Sequence, residues 1–103
     1  MQTLEQNLLV LNEIKKLKIN WNHNKANPFS KELIEKVKRI LLTLDDQPYV
    51  YPTANDSIQI EWETPTEYLE YEIYEDGTIN RFYTNNFKKS EFYAVSEQEI
   101  KPL

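Results

Sequence analysis

Two glutamates, Glu61 and Glu63, stand two residues apart in a stretch where apolar and polar residues alternate. That spacing puts both carboxylates on one face of a strand. A carboxylate pair can serve general acid–base chemistry, but it needs a pocket and a proton-transfer partner. The single histidine, His23, lies in the polar stretch Trp21-Asn22-His23-Asn24, with no catalytic partner beside it in sequence. It reads as a surface loop residue. Asp45 and Asp46 could hold a divalent cation, yet an acidic turn ending a helix explains them more simply. Gly77 is the only glycine and there is no cysteine. The sequence therefore lacks a phosphate-cradling loop, a dinucleotide fingerprint, thiol chemistry and thiolate metal ligands. These residues predict a protein that is not an enzyme, with no catalytic set, no metal site and no cofactor.

Charge is the feature that remains. Residues 1–44 hold eight Lys/Arg against four Glu, and residues 45–103 hold four against thirteen Asp/Glu. From Glu61 to Asp76 there are seven acids and no base. Such a segment repels nucleic acid and attracts basic surfaces. With 103 residues, of which 40% are hydrophobic, the chain reads as one domain (1–103) able to bury a core. Its longest apolar run, Leu8–Leu11, is far below a membrane span. The absence of cysteine and of a basic-then-apolar leader pattern predicts a cytoplasmic protein without membrane contact.

The elements that must position these charges follow from hydrophobic period. Leu4, Leu8, Leu11 and Ile14 fall in one helical arc behind a possible Thr3/Gln6 capping box, predicting a helix over 3–18. Lys15, Lys16 and Lys18 complement its C-terminal dipole. A polar loop, Asn20–Phe29, leads to Ser30, which caps a second helix over 30–44 with Leu33, Ile34, Val37, Ile40, Leu41 and Leu44 on its buried side. After Pro48 the period changes to two. Strands are expected at 49–52, 57–63, 68–75, 78–84 and 91–95, and Ser96 with Glu99 starts a last helical turn. The expected fold is α+β, with two N-terminal helices on one face of an antiparallel meander of three to five strands.

Loop lengths then set a register. A four-residue loop, Thr64–Glu67, places Trp62 opposite Leu69, Ile60 opposite Tyr71 and Ile58 opposite Ile73. A two-residue type I′ turn at Asp76–Gly77 places Tyr71 opposite Phe82. Trp62 and its neighbours then form the core, and Trp21 is expected to be a second core anchor. The other face carries Glu61, Glu63, Tyr68, Glu70, Glu72, Tyr74, Ile79, Arg81 and Tyr83, with Glu72 paired to Arg81. Glu61 stands opposite Glu70, and like charges directly opposed destabilise a sheet. Folding does not ask for that. Tyrosine beside carboxylate suits a partner rich in Arg and Lys, although a plainly solvated face has the same composition.

One further pattern is the order of a helix, Trp21 in a polar loop, Pro28, a second helix, Pro48-Tyr49-Val50-Tyr51-Pro52-Thr53, Ile60-Glu61-Trp62, Leu69-Glu70 with Glu72-Ile73, and Asp76-Gly77. It resembles a scattered group of small α+β proteins of bacteria and their mobile elements over residues 17–80. Those proteins usually carry glycine after Pro-Thr, where this chain has Ala54-Asn55-Asp56-Ser57. The resemblance implies the fold and brings no activity with it. Size, charge sorting and missing catalytic residues suggest an inhibitor of the anti-CRISPR, antitoxin or immunity type, phage-encoded or bacterial. Its expected partner is a protein with a basic surface, a nuclease or toxin. An alternative is a nucleic-acid-binding accessory using Lys15, Lys16, Lys18, Lys25, Lys36, Lys38 and Arg39, against which the net charge of −5 counts. A scaffold module without inhibitory action is the third reading.

Overall fold

The computed structural model describes residues 2–103. Helix α1, Leu4–Lys15, begins with the expected capping box: the Gln6 N–H donates to Thr3 Oγ1 (3.1 Å) and the Thr3 N–H to Gln6 Oε1 (2.9 Å). It stops before residue 18. The Leu17 N–H turns back to the Ile14 carbonyl (3.1 Å), and Asn20 adopts φ +66°, which no right-handed helix can continue through. Helix α2, Lys31–Leu42, starts where Ser30 Oγ accepts the Leu33 N–H (3.0 Å).

Five strands follow: β1 Tyr49–Thr53, β2 Ser57–Glu63, β3 Glu67–Tyr74, β4 Ile79–Asn85 and β5 Ser90–Ala94. Each pairs antiparallel with the next, giving one sheet in the order β1-β2-β3-β4-β5. Pro52, which has no N–H to give a ladder, falls on the edge strand β1 as its chemistry requires. A meander of this kind needs only short connections between neighbouring strands.

The core forms on one face. Leu11 and Ile14 of α1 and Leu33, Ile34, Val37, Ile40 and Leu41 of α2 pack on Val50, Ile58, Ile60, Trp62, Leu69, Tyr71, Ile73 and Ile79 of the sheet. Each large apolar side chain contributes roughly 1.5–3 kcal/mol before entropy is counted. This contact therefore holds the helices on the sheet. Leu9 points away from it and is exposed. The chain after β5 returns to the same side: a 3₁₀ turn at Glu97–Glu99 is held by Arg39, whose Nε and Nη2 donate to the two Glu97 oxygens (2.8 and 2.9 Å). Beyond it, the Tyr71 hydroxyl faces both the carbonyl and the N–H of Lys101 (3.3 Å each).

Asn7 is a feature that hydrophobic period does not reveal. Fully buried on α1, it donates to Gln47 Oε1 (3.0 Å) and the Pro48 carbonyl (2.8 Å) and accepts from Gln2 Nε2 (3.0 Å). Gln47 Nε2 in turn satisfies the Leu41 and Leu44 carbonyls at the end of α2 (2.8 Å each). A small polar network thus fixes α1 against the α2–β1 junction, where an unpaired buried amide would be costly. Trp21, expected in the core, is instead half-buried in the connecting loop. Its Nε1–H donates to the Asn27 carbonyl (2.7 Å) and its ring leans on Phe29. A buried indole needs an acceptor for its N–H, and the loop backbone supplies one.

Half of the expected register holds. Trp62 pairs with Leu69, Ile60 with Tyr71, Ile58 with Ile73, and Glu61 with Glu70. The β3–β4 register is shifted by one residue: Tyr71 lies opposite Arg81, Glu70 opposite Phe82, and Glu72 opposite Asn80. The cause is the turn. The Tyr74 N–H donates to the Thr78 carbonyl (2.9 Å) and the Gly77 N–H to the Tyr74 carbonyl (3.0 Å), so three residues, Glu75–Gly77, connect the strands. Of these three residues, only Gly77 has positive φ (+94°), whereas a type I′ turn needs it at both central positions. A one-residue slip exchanges the faces of a whole strand. Ile79, Arg81 and Tyr83 therefore lie on the helix side, with Ile79 in the core, and the expected Glu72–Arg81 pair does not form.

Candidate functional site

The face of the sheet turned away from the helices is built by alternation. Across the strands, one row reads Tyr49, Glu61, Glu70, Phe82, Phe92, and the next reads Tyr51, Gln59, Glu72, Asn80, Ala94. Flanking rows add Glu63, Tyr68 and Thr84 on one side and Thr53, Ser57 and Tyr74 on the other. Six of the eight residues expected at the site are brought together here: Glu61, Glu63, Tyr68, Glu70, Glu72 and Tyr74. Arg81 and Tyr83 are not, for the reason given by the turn. Among the described residues, the strand positions of this face carry no Lys, Arg or His.

The seven acids between Glu61 and Asp76 divide according to this geometry. Three lie off the open face and are held there by hydrogen bonds. Glu67 Oε2 accepts from the Tyr83 hydroxyl (2.6 Å), Glu75 accepts from both the N–H and hydroxyl of Ser30 at the start of α2, and Asp76 Oδ1 accepts the Thr78 N–H (2.9 Å). The other four, Glu61, Glu63, Glu70 and Glu72, share the open face. Of these, Glu72 accepts from the Ser57 hydroxyl (2.6 Å).

Electrostatics on this face follow from crowding. Burial, then the neighbouring Glu72 and Glu61 carboxylates, push the Glu70 carboxyl above the ordinary carboxylate range. Tyr68 is pushed up by burial and by Glu61 and Glu70, which disfavour a phenolate beside them. Tyr51 rises through burial and Glu61, and Tyr74 through burial and Glu72. Each phenol stays protonated and so keeps a hydroxyl to donate to a neighbouring carboxylate.

Four aromatic members were not expected from sequence. Tyr49 and Tyr51 project from edge strand β1 with rings stacked at 6.5 Å and 18°, 46% and 44% exposed. Phe82 packs against Tyr68 (6.1 Å), and Phe92 is 68% exposed. The Tyr49/Tyr51 pair could have been found by carrying the period of two back through β1. Phe82 and Phe92 could not, because their side depends on the Gly77 turn.

The remaining candidates behave differently. His23 is exposed in the loop at φ +59°. Among the described residues, no three His, Asp or Glu side chains converge on a point that could hold a metal ion. A cavity of about 280 Å³ under the C-terminal segment is lined by Tyr71, Arg81, Tyr93 and Lys101, among others. Glu99, Val95, Leu69 and Pro102 complete its lining. Of the seven basic residues named for the nucleic-acid reading, three are engaged: Lys16 with Glu13 (3.4 Å), Arg39 with Glu97, and Lys36 with the Gly77 carbonyl (3.2 Å). No described helix is long and apolar enough to cross a membrane. No known protein family, curated protein or solved structure matches the chain.

Proposed function

We propose that this is a non-enzymatic binding protein whose acidic, aromatic sheet face docks on a basic surface of a nucleic-acid-acting enzyme and inhibits it, in the manner of an anti-CRISPR protein, an antitoxin or an immunity protein. The observation that carries this reading is a five-stranded face with four carboxylates, six aromatic side chains and no cation at its strand positions. Cross-strand repulsion between Glu61 and Glu70 costs stability, and a partner's positive charge would offset it on binding. The aromatic members supply contact area that loses little side-chain freedom. Against the basic helices as a nucleic-acid site stand the three engaged cations and the net charge of −5.

The test is capture from a lysate of the native host with the wild type and with Glu61, Glu63, Glu70 and Glu72 all changed to Gln. The expected result is one basic nucleic-acid-acting protein, released as salt rises, missed by the quadruple variant, and less active when bound. Equal capture by the quadruple variant, or unchanged activity of the captured enzyme, would refute the proposal.

A further inference from the structure

The protein already contains one guanidinium held by aromatic rings and a carboxylate, on the helix side of the same sheet. Arg81 Cζ lies 5.5 Å from the centre of the Tyr83 ring and 5.3 Å from that of Tyr93, and its Nη1 donates to Glu91 Oε1 at 3.1 Å. The side chain is only 19% exposed. Ring faces take the cation through their quadrupole, and the carboxylate takes the N–H fork. The same ingredients recur on the open face, whose described strand positions carry no cation of the chain itself. Tyr49 stands opposite Glu61, with Tyr51 stacked beside it. Phe82 stands opposite Glu70, with Tyr68 against it and Phe92 beyond.

We infer that the open face selects arginine over lysine, its occupant being a protein segment that presents arginine side chains to the row Tyr49–Glu61–Glu70–Phe82–Phe92. This rests on the docking role proposed above and adds the chemistry of the partner. The physical ground is the difference between the two cations. A guanidinium is flat, weakly hydrated and able to stack on a ring while its edge meets a carboxylate. An ammonium is a compact, strongly hydrated point charge that gains from the glutamates but little from the rings. Charge alone would make the face indifferent between them. The exposed aromatics beside the carboxylates are what discriminate.

Two synthetic peptides of equal length and charge, one arginine-rich and one lysine-rich, are titrated into the full chain by calorimetry at low salt. Amide chemical shifts locate the binding. The expected result is about three- to tenfold tighter binding of the arginine peptide, with shifts centred on Tyr49, Glu61, Glu70, Phe82 and Phe92. Tyr49→Leu with Tyr51→Leu keeps these solvent-edge positions apolar, and should bring the arginine affinity at least about twofold closer to the lysine value, Phe82 and Phe92 keeping the remainder of the preference. The lysine affinity should change less than about twofold in that variant. Dispersed amide spectra confirm that it is folded. Equal affinity for the two peptides, with both lost in the quadruple Gln variant, would overturn arginine selection and leave the acidic docking face standing. Binding of neither peptide to this face would overturn both.

Discussion

Replacing Glu70 by Gln should stabilise the protein at neutral pH, although it removes a charge from the open face of the sheet. Glu70 lies directly opposite Glu61 with Glu72 two residues along, and its carboxyl is held above its ordinary range by burial and by those two neighbours. Facing side chains on paired strands start from Cβ atoms about 4.5–5.5 Å apart, so their carboxylates stand roughly 6 Å from each other. At a water-like dielectric this repulsion is about 0.7 kcal/mol. Screening by physiological salt roughly halves it, while partial burial works in the opposite direction, and exposed charges in general give small values. The expected gain is about 0.3–1 kcal/mol, or a rise in Tm of roughly 2–6 °C for a domain of this size.

The pH dependence carries the sharper test. An acid whose folded value is raised makes its favourable contribution below its unfolded value and loses it as pH rises through the folded one. The wild type therefore carries the penalty at pH 7 and sheds it on acidification, so the advantage of Glu70→Gln should vanish below about pH 4. Glu61→Gln should give a smaller gain, since it relieves only the Glu61 repulsion and not the burial of Glu70 or its repulsion by Glu72, and the double variant should give less than the sum of the two. Denaturant titrations at pH 7 and pH 4 measure all of this. A loss of stability in Glu70→Gln at pH 7, or a gain of equal size at both pH values, would refute the reasoning.

Asn7→Ala should cost about 2–4 kcal/mol in urea unfolding, since it strands the buried Pro48 carbonyl and the amides of Gln2 and Gln47; a change under about 0.5 kcal/mol would deny the network its role. Gly77→Ala should cost about 1 kcal/mol, because φ is +94° although no atom lies within 4 Å of the added methyl, and Gly77→Asn should cost less. Glu97 is held below the ordinary carboxylate range by Arg39. The docking of the C-terminal segment should therefore be complete above that range and loosen as pH falls through the folded value, seen as faster exchange of the Ile100 amide in acid than its intrinsic rate predicts, with Arg39→Gln removing the effect.

Much of this protein was legible without a structure. Helix starts are local chemistry: Thr3 with Gln6 and Ser30 each satisfy helix N–H groups within three residues, so a reader of sequence needs nothing distant. The period change at Pro48 and the four-residue Thr64–Glu67 loop likewise fixed β2 against β3, and with them the opposition of Glu61 and Glu70. Only the tertiary structure decided which way β4 faces. The dipeptide Asp76–Gly77 is compatible with a two-residue and a three-residue turn. The choice lies elsewhere. Glu75 is drawn to Ser30 at the start of α2, the Glu75 N–H donates to the Asp56 carbonyl (2.8 Å), and Ile79 gains a place in the core. Those contacts join residues far apart in the chain, and burying Ile79 rather than Phe82 turns Arg81 and Tyr83 to the helix side. Among the described residues, the strand positions of the acidic face owe their lack of a cation to that one-residue shift, which sequence composition could not reveal because it counts charges without assigning them a side.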